Sequence, residues 1–172
     1  MTIDEFNAMQ DSEASDLIKS CCGSPTWCGR ITQARPIESI ALFHEAADHA
    51  FQEIDSNDWI DAFESHPQLG DLQSLKMKFA GNQEWSAGEQ SGITAADESV
   101  LQDLADANDQ YAQRFGYRFI LCATGKSADQ MRQAIHERLR NSPEQELPIA
   151  AAEQAKITHL RIDKLFLEKT TT

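Results

Sequence analysis

IESIALFHEAADHAFQEI, residues 37–54, decides the fold class. Ile40, Leu42, Phe43, Ala46, Ala47, Ala50, Phe51 and Ile54 recur at the three-and-four spacing of an amphipathic helix, with acids, His44 and His49 between them. Such a stripe has to be buried against other elements, and the neighbouring segments carry the same period. Downstream, Ser56 is placed to cap a helix bearing Trp59, Ile60 and Phe63. That helix ends before His66 and Pro67, because the residue preceding a proline is driven out of helical geometry. Upstream, Pro25 suits the first turn of a helix that carries Trp27 and Ile31 and stops near Pro36. Two short helices open the chain, one announced by the capping-box spacing of Thr2 and Glu5, the next over Ser12–Lys19.

The second half continues in helices with one exception. Residues 67–92 are polar and dotted with Gly70, Gly81, Gly88 and Gly92, with room for a short helix over Leu72–Ala80. Thr94 is placed to cap a helix to about Arg114, with Val100, Leu101, Leu104, Ala107 and Tyr111 on one face and Gly116 at its end. YRFILC, residues 117–122, has the composition of a buried strand, but a lone strand has nothing to pair with among helices. It reads as extended backbone packed between them. Ser127 opens another helix through Arg140, and a last one runs to about Glu168, with Pro148 near its start or kinking it. The expectation is an all-α chain, a single-domain multi-helix bundle over residues 1–172 with an extended buried segment near 117–123.

The 172 residues are 41% hydrophobic and carry a formal charge of −13, which allows one proper core and repels phosphate backbones and anionic lipid. Nucleic-acid and membrane partners are therefore not expected, and no apolar run is long enough to span a bilayer. An anionic small substrate would be repelled as well, so a site for one needs its own cation. The acidic N-terminus does not read as a secretory signal and the final EKTTT is not a peroxisomal SKL address, which makes a bacterial-type cytoplasm the expected location. Cys21, Cys22, Cys28 and Cys122 then read as reduced thiols.

Three catalytic motifs fail on geometry. In HEAADH, residues 44–49, the histidines are five apart, about 140° around a helix, whereas two ligands on one face need a spacing of four. ATGKS, 123–127, lacks the leading glycine of a phosphate loop, which falls at Ile120. EWSAG, 84–88, puts Glu84 where a nucleophile elbow requires glycine. The early cysteines lack CxxC spacing and a histidine pair, so no metal is expected.

ESHPQLGD at 64–71, WSAGEQSG at 85–92 and RFGYRFILCATGKS at 114–127 point elsewhere. Together with CCGSPTW, RPIES, DWIDAFESHP, HERLRN and KITHLRIDKL, in this order, they make the chain resemble 2-oxo-4-hydroxy-4-carboxy-5-ureidoimidazoline (OHCU) decarboxylase over nearly its whole length. The resemblance implies decarboxylation of OHCU to (S)-allantoin and CO2, the last step from urate to allantoin, without a cofactor and in a homodimer. It implies catalytic roles for His66, the proton donor, and Glu89. It assigns substrate binding to Pro67, Ser86, Ala87, Gly88 and Gln90, to the stretch Phe119, Ile120, Leu121, Cys122 and Ala123, and to Arg161, which would supply the cation. Arg118 departs from the family pattern, where an apolar residue or proline is expected, and is read as pointing to solvent. Pro148 departs too, inside what the family holds as continuous helix. Another class stays open: a helical protein-binding module in which Trp27, Trp59 and Trp85 line a groove.

Overall fold

Helix caps set most element boundaries of this chain. Thr2 accepts from the backbone N–H of Glu5 while the Glu5 carboxylate accepts from the backbone N–H of Thr2, starting α1 (Ile3–Asn7). A computed structural model describes residues 1–66, 75 and 95–167. After α1 come α2 (Asp11–Ile18), α3 (Pro25–Gln33), α4 (Ile40–Gln52), α5 (Ser56–Glu64), α6 (Ala95–Phe115), α7 (Ala128–Arg138) and α8 (Pro143–Leu167). The described residues contain no strand, and the fold is all-α as expected. The short helix proposed over Leu72–Ala80 and the Thr94 cap lie outside the described residues, Leu75 apart.

Two caps differ from the sequence reading. The cap of α5 is Asp55 rather than Ser56. Its carboxylate accepts from the N–H groups of Asn57 and Asp58, and Asp58 reciprocates to the Asp55 N–H at 3.0 Å, which a serine one residue later could not do. The last helix starts at Pro143, with Ser142 and Gln145 exchanging capping-box bonds, so Pro148 lies inside it. Proline at the first position costs nothing, because that N–H has no partner in the helix; at Pro148 one ladder bond is forgone.

The chain divides into two compact units, Met1–Ser65 with Leu147–Thr172, and His66–Glu146. In the first, α3 packs on α2, α4 and α5. Its core joins Phe6, Phe43 and Phe166, with ring centroids 5.0 to 5.9 Å apart, to a second stack of Trp27 on Phe51 on Trp59. Trp27 is wholly buried and its indole N–H donates to the Ala47 carbonyl at 3.2 Å. It is a structural anchor and cannot line a partner groove. Gly23 sits where a side chain has no room: a Cβ there would lie 2.3 Å from the Ser65 Cβ. Cys21, Cys22 and Cys28 are buried in the same core as free thiols.

In the second unit α6 and α7 pack together, with Leu101, Leu104, Ala107, Met131 and Ile135 buried. Gly116, at φ +79°, turns the chain out of α6 in the left-handed region, where a Cβ would be strained. Residues 117–123 follow without helix or strand, Tyr117 and Ile120 buried and the rest half-buried, as the extended segment was expected to run. Their anchor is ionic. Glu146, fully buried, accepts from Arg138 Nε at 2.6 Å, from Asn141 Nδ2 at 2.8 Å and from the Tyr111 hydroxyl, while Arg138 Nη1 donates to the Ile120 carbonyl at 2.5 Å. Burial, then donation to Glu146, pushes the Tyr111 phenol far above its ordinary range, so it remains a hydrogen-bond donor.

Two outcomes are expected. Arg138→Met strands the Glu146 carboxylate in the interior at a cost of about 3–5 kcal/mol, a fall in thermal midpoint on the order of 10 °C by calorimetry; an unchanged midpoint would show the pair to be dispensable. Burial raises the Cys21 thiol and pushes Cys22 up to about 11 and Cys28 up to about 12. Titration with a thiol-reactive disulfide at mildly alkaline pH should therefore find half-buried Cys122 reactive in the native protein and the other three only after unfolding.

Candidate functional site

α5 ends at Glu64 because Ser65 closes it, its N–H bonding back to Ala62 and Phe63 and its hydroxyl to Ala62 at 2.6 Å. His66 is the next residue, half-buried at the helix exit where the sequence reading put it. Its backbone carbonyl accepts from the Arg118 guanidinium, across 52 positions of chain. Arg118 is thus half-buried and turned to His66, not to solvent. One charge-assisted bond ties the residue expected to move protons to the start of the segment expected to hold substrate.

That segment is held from behind. The Arg138 guanidinium lies 4.5 Å from the Phe119 ring centroid while taking the Ile120 carbonyl, and Tyr111 meets the Phe119 ring edge-on at 5.1 Å. The Ile120 carbonyl is therefore engaged by the protein itself. Leu121, Cys122 and Ala123 are half-buried, and the Ala123 carbonyl accepts from the Lys126 N–H at 3.0 Å to close the turn before α7. Sequence reading missed Arg138, Tyr111 and Glu146, which fix this stretch without belonging to it. HERLRN was visible as a block, but nothing in its spacing shows that one arginine of it points into the protein.

Arg161 belongs to the other unit, on α8, where its Nη1 donates to the Ser20 and Cys21 carbonyls at 3.1 and 3.4 Å just beyond α2. A cation beside the carbonyls that follow a helix C-terminus is favourable in itself. Pro67, Ser86, Ala87, Gly88, Glu89, Gln90 and Trp85 lie outside the described residues. An open groove of about 460 Å³ on α7, lined by Asp129, Arg132, Gln133 and His136, contains none of the expected site residues.

Among the described residues, no three His, Cys, Asp or Glu side chains gather to hold a metal ion. The histidines of HEAADH do not act together. His44 instead faces His159 of α8, Nδ1 to Nδ1, with ring centroids 4.5 Å apart. The far nitrogen of each ring meets a carboxylate: His44 Nε2 to Asp163 at 2.8 Å and His159 Nε2 to Asp48 at 2.7 Å.

Known proteins match along most of this chain. The family model for OHCU decarboxylase aligns with residues 7–163, through both units. The uric acid degradation bifunctional protein TTL of Arabidopsis thaliana is 40% identical over 154 residues, 88% of this chain and 47% of its own length. The mouse OHCU decarboxylase is 35% identical over 102 residues, 58% of this chain and 56% of its own. This chain thus spans about half the length of each of these relatives. Among solved structures, an OHCU decarboxylase crystallised in the presence of (S)-allantoin superposes with a TM-score of 0.72 at 34% identity, over 93% of this chain and 100% of its own. With α2 to α7, His66 at the exit of α5 and the 117–123 segment all falling inside the residues 7–163 that the family model matches, the chain belongs to the OHCU decarboxylase family.

Proposed function

We propose that this protein decarboxylates OHCU to (S)-allantoin and CO2. The observation that carries the reading is the tie between the His66 carbonyl and Arg118, which joins the HP block to the 117–123 segment in a chain of this family. The match over 93% of this chain to a decarboxylase crystallised in the presence of (S)-allantoin supports the same substrate class.

The substrate holds a carboxylate and a hydroxyl on one ring carbon, next to a C=N bond. As the bond to CO2 breaks, its electron pair moves into the ring and the C=N electrons pass to nitrogen, which takes up a proton. The substrate is its own electron sink, so no cofactor is called for. What remains is to take the hydroxyl proton as the ketone forms and to deliver one proton to a single face of the neighbouring carbon. His66, an imidazole at a half-buried helix exit, is suited to that exchange near neutral pH. Glu89 would orient His66 or bind ureido N–H groups, and Ser86 and Gln90 would meet the amides. Pro67, Ala87 and Gly88 would line the ring, as would Phe119–Ala123.

Arg161 would bind the departing carboxylate, a role that competes with its two carbonyl partners. The homodimer is proposed from the family resemblance alone and is checked by sedimentation. No helix among the described residues is long and apolar enough to cross a membrane.

The deciding experiment follows circular dichroism while urate is degraded by added urate oxidase and hydroxyisourate hydrolase. Fast appearance of one allantoin enantiomer is expected, and a racemic course at the uncatalysed rate would overturn the proposal. His66→Ala should lose about 10²–10⁴-fold in turnover with its thermal midpoint intact; near-wild-type activity would remove His66 from the chemistry. Glu89→Gln should lose activity with little change in midpoint. Arg118→Leu should lower kcat by about 10–100-fold and Arg118→Lys should restore part of it, as expected of a positioning residue. Equal loss in both variants, or none in either, would contradict that role.

A further inference from the structure

His44 and His159 meet through their Nδ1 atoms, each ring backed by a carboxylate. An ionised carboxylate only accepts hydrogen bonds, so Asp163 and Asp48 fix the hydrogen of each ring on Nε2. With both rings neutral, both Nδ1 atoms are bare lone pairs, and they face each other. Two lone pairs set head to head repel, so the pair is satisfied by a cation between them, either a proton shared by the rings or a bound metal ion.

Carboxylates behind the rings are the arrangement that metal-binding histidines need. A ligating imidazole generally donates its second N–H to a carboxylate, which fixes the tautomer, aims the free nitrogen and makes it more basic. Here both rings are prepared in that way, from two different helices, α4 and α8, of the same unit. The two carboxylates also supply two negative charges to balance a divalent ion. We propose that His44 and His159 form a surface site for a borderline divalent transition ion of the Zn2+ type, bound through both Nδ1 atoms and completed by water.

The dimensions allow it. Zn–N bonds of about 2.0–2.1 Å at a tetrahedral angle place the two nitrogens roughly 3.3 Å apart. The side chains are 23% and 29% exposed, so a small outward rotation of either ring opens that gap while its carboxylate bond is kept. Partial exposure also leaves room for the water ligands, and the net charge of −13 attracts cations to the surface. Sequence reading set metal aside because His44 and His49 are wrongly spaced on one helix; the partner is 115 residues away. Two protein ligands make a site that binds reversibly and staples α4 to α8, without bearing on the decarboxylation.

The test uses the full chain stripped with a chelator and titrated with ZnCl2, with MgCl2 as the oxygen-seeking control, followed by calorimetry and thermal midpoint. The wild type should bind one Zn2+ with a saturable rise in midpoint and show none with Mg2+. His159→Gln and His44→Gln should abolish both, and Asp163→Asn should weaken binding about 10–100-fold. Imidazole NMR of the unaltered protein gives a readout that needs no variant: of the five histidines, two should shift with Zn2+. No saturable binding at excess Zn2+, binding that survives both Gln variants, or shifts confined to the other histidines would each overturn the proposal.

Discussion

The second unit depends on one buried ion pair, Arg138 with Glu146. A carboxylate carried into a protein interior is costly unless nearly every lone pair is met, and Glu146 is met by Arg138, Asn141 and Tyr111 together. These partners come from α6, from α7 and from the turn before α8, so the charge can be satisfied only when all three are assembled. The arginine then uses another nitrogen on the Ile120 carbonyl and its flat face on Phe119. A stretch with neither helix ladder nor strand partner thereby has a buried residue's carbonyl satisfied and a ring pinned. This is how an all-helical protein keeps an extended segment in place.

The first unit solves a different problem by packing. Its three phenylalanines and its Trp27, Phe51 and Trp59 stack draw on α1, α3, α4, α5 and α8. The helices α1 and α2 are only five and eight residues long, too short to persist alone, and are held by their caps and by this core. Thr158 of α8 donates to the Cys21 carbonyl at 3.2 Å and Arg161 takes Ser20 and Cys21, which fastens the turn after α2 onto the last helix. Arg161 is therefore a structural tie in this unit whatever else it meets.

Much of this was legible in the residues. Periodicity exposed α4 and α6, because burial of a stripe leaves the same mark in any chain. The exit at His66 followed from the proline after it, and the extended run from the absence of a second strand. What escaped depends on partners distant in sequence. Arg118 looks like a solvent-facing cation until position 66 is brought beside it, and Glu146 looks like an ordinary acid of a first helical turn. His44 looked wrongly spaced because the spacing was measured along one helix. Local signals such as Ser56 failed only by one residue, where a carboxylate competes with a hydroxyl for the same N–H groups. Of the expected site, His66 and the 117–123 stretch had local signatures; the binding blocks at 85–92 rested on resemblance alone.

Gly23 carries a consequence for how the chain tolerates change. It presses so closely on Ser65 that the smallest side chain would have to displace the cap of α5, one peptide bond before His66. A mutation in a turn of the early chain, far in sequence from α5, would therefore act as a wedge under the end of that helix. The exit of α5 is exposed to genetic variation at a residue that has no side chain to lose.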